Sequence, residues 1–469
     1  MSHSLNYRFL FKQMPWNALN LGITIKNRMV QRTIVFILVA ISIILYASLA
    51  YSFNRQNFSF LLSAIAILVC CYVFFYRVYL STTFVFWAGL TFRLVFLLSL
   101  PALSDDYFRF IWDGLLSQDG ISPYLVTPEQ AGFPGYPWFE KLRGDKVIID
   151  LYNSMNSQKY FSIYPTFNQL VFYLSTLNFK SIPGSVVIIR IFVIIAEVFI
   201  FRLLLSWAIN RKLRSRAVLL YWFNPVVILE FSGNLHFEVF MLLFILLAFW
   251  FLDKEKLIPS ALMFSLAVIT KLHPLLLLPL IIKRLGLRKG FQFSLVVFSI
   301  TCLSFYLFAS QGFFDNYLRS FLLYFKSFEF NSALLYFMRM LAEWSGSELS
   351  ENSGSYMAVV AAISILFISF IRKETNLGAL LVTSGLAYSI FFLFSTTVHP
   401  WYLLPLMTFS LFCNCNFSVS WPIFAMFTYY TYRQVPYDES QLVVFIEYFM
   451  VLVVFLYDLK RKHFRHANH

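Results

Sequence analysis

Apolar residues in this chain come in long continuous runs, not in the alternation of half-buried strands or the three-to-four spacing of one-sided helices. Runs able to cross a bilayer fall at about 30–53, 57–79, 81–102, 183–209, 215–231, 238–252, 257–283, 291–310, 355–372, 377–396, 399–416, 419–435 and 442–459. Hydrocarbon offers no partner to a backbone N–H or C=O, so such runs predict helices, which satisfy these groups internally. The pattern predicts an all-α polytopic membrane protein with a bundle of about 12–14 transmembrane helices. Two stretches interrupt it. Residues 104–182 form a first long loop, in which the amphipathic "IYPTFNQLVFYLSTL" (163–177) predicts an interfacial or re-entrant helix. Residues 311–354 form a second, with "NYLRSFLLYFKSFEFNSALLYF" also interfacial. The expected organisation is a tail over 1–29, one transmembrane domain over 30–460 and a tail over 461–469.

Composition agrees: the chain is 59% hydrophobic and only 13% charged, about half the charge of a soluble domain. The 57 Phe and 27 Tyr then read as lipid-facing surface and interface belts. A net charge of +14 reflects basic cytoplasmic loops, so a nucleic-acid partner is excluded. The five Cys lie in apolar segments without disulfide or zinc spacing. Basic residues orient the chain. Arg8, Lys12, Lys26, Arg28 and Arg32 put the N-terminus inside, as a cytoplasmic tail with no cleavable apolar core. "NRKLRSR" (210–216), "IRKE" (371–374) and "KRKHFR" (460–465) are also inside. Residues 104–162, "EFSGNLHFE" (230–238) and "TTVHPWY" (396–402) consequently face outside. For both ends of 257–283 to be cytoplasmic, the chain must turn back near Lys271 and Pro274.

Chemistry concentrates on the outside. Eight of the 23 acidic residues fall in 104–160: Asp105, Asp106, Asp113, Asp119, Glu129, Glu140, Asp145 and Asp150. "DDYFRFIWDGLL" reads as a helix with Asp106, Arg109 and Asp113 at i, i+3 and i+7 on one face. Ser104 or Asp105 would cap it, and the helix N-terminus would keep Asp106 ionised. A fixed carboxylate at a water–lipid boundary suits two tasks, accepting a hydroxyl proton or holding a divalent cation. The bland alternative is a capping Asp105 and a structural Asp106–Arg109–Asp113 charge cluster.

"SDDYFRFIWDGLLSQDGISPY" (104–124) resembles the first-loop signature of the GT-C superfamily of polytopic glycosyltransferases, an acidic residue followed by Y-R-Y-x-W-D-G and later G-x-N/S-P-Y. "NPVVILEFSGNLHFEVFML", "ITKLHPLLLLPL", "FEFNSALLY" and "TTVHPWYLLPL" resemble further segments of that family, in its order, over about residues 85–408. The chain is most similar to bacterial mannosyltransferases that use polyprenyl-phosphate sugars. Phe108 and Phe110 stand where that family often has Tyr, and Ser122 where it often has Asn.

The resemblance implies an inverting transfer of a sugar, mannose by default, from a polyprenyl phosphate to an acceptor hydroxyl. The acceptor would be a glycan, lipid or protein, and the site would face the extracytoplasmic side of a bacterial inner membrane. Asp106 is the expected catalytic base, with Asp105 next to it. Expected substrate-binding residues are Arg109, Asp113, Tyr124, Tyr164, Gln169, Asn234, His236, Glu238, Lys271, His273, His399, Trp401 and Tyr402. Lys271, His399 or Arg109 would neutralise the departing phosphate. For most of these a blander role remains: Lys271 in a structural ion pair, His236 and Glu238 reaching toward water, His399 filling an interface. A divalent cation, Mg or Mn, is the one cofactor the carboxylates invite. Rival functions are a lipid-linked glycan ligase, polymerase or flippase, and a secondary transporter, though the chain lacks the repeat symmetry of the last.

Overall fold

The computed structural model describes residues 28–210, 217–326, 328–350, 352–372, 376–411 and 415–466. Arg8, Lys12 and Lys26, residues 211–216 of the "NRKLRSR" stretch, residues 373–374 and Cys413 lie outside the described residues. The described chain is helical throughout, with only an isolated bridge between Phe330 and Thr397. It is an all-α polytopic membrane protein.

Among the described residues, five helices are long and apolar enough to cross a bilayer: Met29–Tyr51, Phe58–Arg77, Leu287–Tyr306, Ser353–Ile371 and Gln441–Arg461. Their outer faces show large apolar side chains such as Phe36, Ile44, Phe298 and Phe370, as lipid contact requires. A sixth span exists if Pro225–Gly233 and Glu238–Asp253, bent by 111°, count as one. The helix Ile182–Asn210 has 29 residues, ample length, but carries Arg190, Glu197 and Arg202. Several other expected spans are broken. The 81–102 run is helical only over Thr82–Leu94, and 399–416 begins as a 3-10 turn, Pro400–Leu403, before Leu404–Ser410. The 257–283 run divides into Leu257–Val268, a 3-10 turn His273–Leu277 and Leu278–Leu285, so the helix breaks at the stretch where the chain was expected to turn back. Proline sits in the first turn of each restarted segment, where its missing N–H costs nothing.

Two buried arginines brace the end of the 81–102 run and the bent segment before Glu238. Arg93 pairs with Glu197 at 2.7 Å, both fully buried, and lies over the Trp222 ring. Arg190 donates to the carbonyls of Ser232 (2.7 Å), Gly233 (3.0 Å) and Ser99 (2.5 Å). It thereby satisfies acceptors that a terminating helix leaves open. The first loop is equally well anchored. Its helix Asp106–Gln118 packs on Thr166–Thr176, the segment expected to be interfacial, which buries Asn168, Gln169, Phe172 and Thr176. Gly114 permits that crossing, because a Cβ there would sit 2.4 Å from the Phe172 carbonyl oxygen.

Candidate active site

The helix Asp106–Gln118 starts where the chain leaves the first bundle. Ser104 Oγ accepts the Asp106 backbone N–H at 3.3 Å, so the serine contributes to the cap as expected. Asp105 occupies the N-cap position but makes no side-chain cap. Its carboxylate instead takes Arg55 Nη1 at 2.6 Å. Arg55, from the turn between the first two membrane helices, also donates to the Tyr437 hydroxyl at 2.6 Å and faces the Tyr432 ring. Three distant parts of the chain meet there, and Asp105 is held by them.

Asp106 is different. Its carboxylate makes no hydrogen bond among the described residues, and its side chain is 36% exposed. The Nδ1 of His236 lies 4.0 Å away. Burial pushes the Asp106 carboxyl above the ordinary range; the Glu238 and Asp105 carboxylates add to this, against His236 and Lys271. Sequence reasoning expected the helix N-terminus to keep this group ionised; desolvation opposes that by favouring its neutral form.

The wall facing Asp106 comes from one irregular stretch. Asn224 caps Pro225–Val227, a π-turn follows over Ile228–Gly233, and Glu238–Asp253 begins after a tight reversal. In that reversal Leu235 has φ +66°, a left-handed conformation costly for a leucine. It brings His236 back over Glu230, whose carbonyl accepts the His236 N–H at 3.1 Å. Glu230 is fully buried. It accepts from Tyr429 OH (2.8 Å) and Asn234 Nδ2 (3.1 Å), and its Oε2 lies 3.2 Å from His236 Nε2. Asn234 also accepts the Leu103 backbone N–H, tying this wall to the start of the first loop.

The remaining walls come from the broken runs. Lys271 reaches Glu238 in an ion pair and lies 3.7 Å from the Tyr402 ring centroid. Glu238 is buried in that pair, whereas the Lys271 side chain stays 31% exposed, with donors to spare. Trp401 is sandwiched between the His236 and His399 rings, at 3.6 and 4.3 Å and nearly parallel to both. The second long loop closes the far side. Phe330 exchanges backbone bonds of 2.9 Å with Thr396 and Val398, and its ring lies 4.5 Å from that of His399.

Asp106, His236, Glu238, Lys271, His399, Trp401 and Tyr402 therefore come together, with Asn234 behind them. The other expected site residues lie elsewhere. Arg109 and Asp113 form a buried 2.6 Å ion pair; Arg109 also donates to the carbonyls of Ser157 and Tyr160, and Asp113 accepts from Ser162 and Gln169. Tyr124 is fully buried and donates to the Tyr164 carbonyl, while the Tyr164 ring packs on Phe110 and Phe172. His273 turns toward the helix Leu377–Leu393, with Nδ1 2.9 Å from the Tyr388 hydroxyl. Sequence reasoning passed over Arg55, Tyr429 and the role of Glu230. Arg55 carried a signal: in the expected orientation a basic residue just beyond the first span goes against the charge bias.

No group of three or more His, Cys, Asp or Glu side chains arranged to hold a metal ion occurs among the described residues. Asp105 is bound to Arg55 and Glu238 to Lys271, so this donor set does not fit a divalent cation.

A polytopic helical bundle whose broken segments gather a partly exposed carboxylate, a lysine and stacked aromatics has the groups that a membrane-embedded transferase of the GT-C type needs. The chain belongs to the MptA/B family, whose profile, described as the N-terminal domain of alpha-(1->6)-mannopyranosyltransferase, matches residues 38–285. It is accordingly a mannosyltransferase. No curated protein and no solved structure matches the chain.

Proposed function

We propose that this mannosyltransferase takes its sugar from a polyprenyl-phosphate donor and transfers it, with inversion at the anomeric carbon, to an acceptor hydroxyl. The linkage in the family's description supports the 6-OH of a glycan as that hydroxyl. The carrying observation is the contrast between neighbours: Asp105 is bound by Arg55, whereas Asp106 has an unengaged carboxylate facing the gathered residues. Asp106 accepts the proton as the acceptor oxygen attacks. Its raised affinity for protons suits a base, which must bind the proton in the transition state. Lys271 stabilises the negative charge that develops on the phosphate oxygens, a task for a compact cation at a partly dry site. Phosphate leaves as a stabilised anion and needs no acid, so positioning and charge neutralisation supply most of the rate. His399, Tyr402 and Trp401 line the sugar's side.

In this reading the site opens to the extracytoplasmic face of a bacterial inner membrane. The single transmembrane domain spans 30–460 between cytoplasmic tails 1–29 and 461–469, and the loops 104–182 and 311–354 cover the substrates. The test is to incubate the purified chain with polyprenyl-phosphate mannose and a mannan acceptor. Equal amounts of polyprenyl phosphate and mannosylated product are expected. Consumption only of lipid-pyrophosphate glycan, or movement of the lipid without sugar transfer, would replace the proposal by ligation or transport.

A further inference from the structure

The second long loop touches the site at Phe330, and the bridge that holds Phe330 there is small. Phe330 is tied to Thr396 and Val398 by backbone bonds of 2.9 Å, with no sheet around them. Thr397 Oγ1 adds a bond to the Phe328 carbonyl at 3.1 Å. So few bonds leave most of the cost of ordering a long loop unmet, and the fastening comes from the next residue. Asn331 is fully buried and has φ +55°, a left-handed conformation that asparagine tolerates better than most residues. Its N–H donates to Glu439 Oε1 at 2.7 Å, and its carbonyl accepts the Tyr448 hydroxyl at 3.0 Å. Its Nδ2 donates to the Val398 carbonyl at 3.1 Å and to Glu447 Oε1 at 3.2 Å. Tyr336, from the helix Ala333–Trp344, donates to the second oxygen of Glu439. Glu447 is fully buried in the membrane helix Gln441–Arg461, where an acidic group is expensive and calls for a task. Catalysis by Asp106 and Lys271 leaves it without one.

We propose that Asn331 is a positioning residue: it locks the second long loop to the last membrane helix, so that the Phe330 ring holds His399 against Trp401 and fixes the wall that contacts the sugar. This rests on His399 and Trp401 lining the sugar's side. The Phe330 ring lies 4.5 Å from that of His399, which lies 4.3 Å from that of Trp401 and nearly parallel to it. All three residues are at most 9% exposed, and in so close-packed a row each ring keeps its place only while the next one does. The Asn331 amide bonds Val398, the residue before His399, as well as Glu447. Removing it therefore loosens the row from both ends, at Phe330 and at the backbone of His399. Contact with the sugar is then lost about equally from the bound donor and the transition state, so KM for the donor rises while kcat changes little. A damaged fold does the opposite: it lowers the active fraction, which reduces the apparent kcat and leaves KM alone.

The experiment is steady-state mannosyl transfer by the purified full chain at varied polyprenyl-phosphate mannose and saturating acceptor, with melting in detergent to identify the folded variants. Asn331→Gly keeps the left-handed backbone and removes only the amide. It should raise the donor KM about 10-fold, with kcat within about three-fold of wild type. Phe330→Ala should do the same, and the double variant should be no worse than Phe330→Ala alone, because both changes act through one contact. Glu447→Gln preserves an acceptor for the Asn331 amide and should keep the wild-type KM, whereas Glu447→Ala should raise it. Tyr336→Phe, a gentler cut in the same network, should raise the donor KM about two-fold. An unchanged donor KM in folded Asn331→Gly, or in Tyr336→Phe should the glycine variant not fold, overturns the proposal, and so do additive effects in the double variant. Trp401→Ala separates the two levels of the argument. A raised donor KM there beside a normal Asn331→Gly overturns the positioning role alone. An unchanged one overturns the sugar-side reading and the positioning role with it.

Discussion

Asp106 and Asp113 lie on one helix, two turns apart, and have opposite fates. Asp113 is fully buried and saturated: Arg109, Ser162 and Gln169 take its oxygens, and Arg109 spends further donors on two carbonyls of the same loop. Asp106 is half-open, has no hydrogen bond of its own, and faces a wall of charged and aromatic groups with unused capacity. A buried ion pair whose carboxylate accepts from three side chains holds structure, because that carboxylate has nothing left for a ligand. An unsaturated carboxylate, kept that way by a fold that binds its neighbour Asp105 to Arg55, is available for chemistry.

Lys271 tests the reactive side most severely. Lys271→Met should cut kcat/KM by about 100-fold or more and also lower the melting temperature, since Glu238 is left buried without its partner. Lys271→Arg should recover stability better than activity. On the structural side, Asp113→Asn should destabilise by about 3–5 kcal/mol, because it leaves Arg109 charged and buried. Transfer per folded molecule should stay within about three-fold of wild type. A folded but inactive Asp113→Asn would put the two carboxylates in one functional unit. Arg55→Gln should have a smaller effect. It frees Asp105 to compete as a second carboxylate, and steady-state assays should show a loss of a few-fold in kcat. An unchanged kcat would mean that the Arg55–Asp105 pair does not matter to the base.

The smallest effect concerns pH and stability. The carboxyl of Asp106 is raised in the fold relative to the unfolded chain, so its contribution to stability is fully present below its unfolded pKa. That contribution is lost as pH rises through the folded value. Asp106→Asn removes this penalty, so its melting temperature should match wild type in acid and exceed it toward neutral pH. A variant less stable at neutral pH would contradict the raised pKa.

Much of this was legible in the chain. Uninterrupted apolar runs dictate membrane helices, and Lys271 with Pro274 marks where the 257–283 run breaks. The spacing of Asp106, Arg109 and Asp113 correctly predicted one helix face. It did not separate their roles, because seven residues also climb about 10 Å along the axis, from the open end into the buried loop. Contacts between distant segments were invisible. Arg55 meets Asp105 across 50 positions, and Tyr429 meets Glu230 across 199. The π-turn at Ile228–Gly233 and the left-handed Leu235 carry no glycine or proline at the strained residue, so the reversal that turns His236 onto Glu230 had no local signature.

The most direct test of the central claim measures mannosyl transfer and melting temperature together for Asp106→Asn and Asp113→Asn in the purified protein. The account predicts an Asp106→Asn protein that melts no lower than wild type at neutral pH and has lost about 1,000-fold or more of its transfer rate. Asp113→Asn should melt well below wild type yet transfer mannose when folded. Near-normal transfer by Asp106→Asn would contradict the claim that this carboxylate is the base.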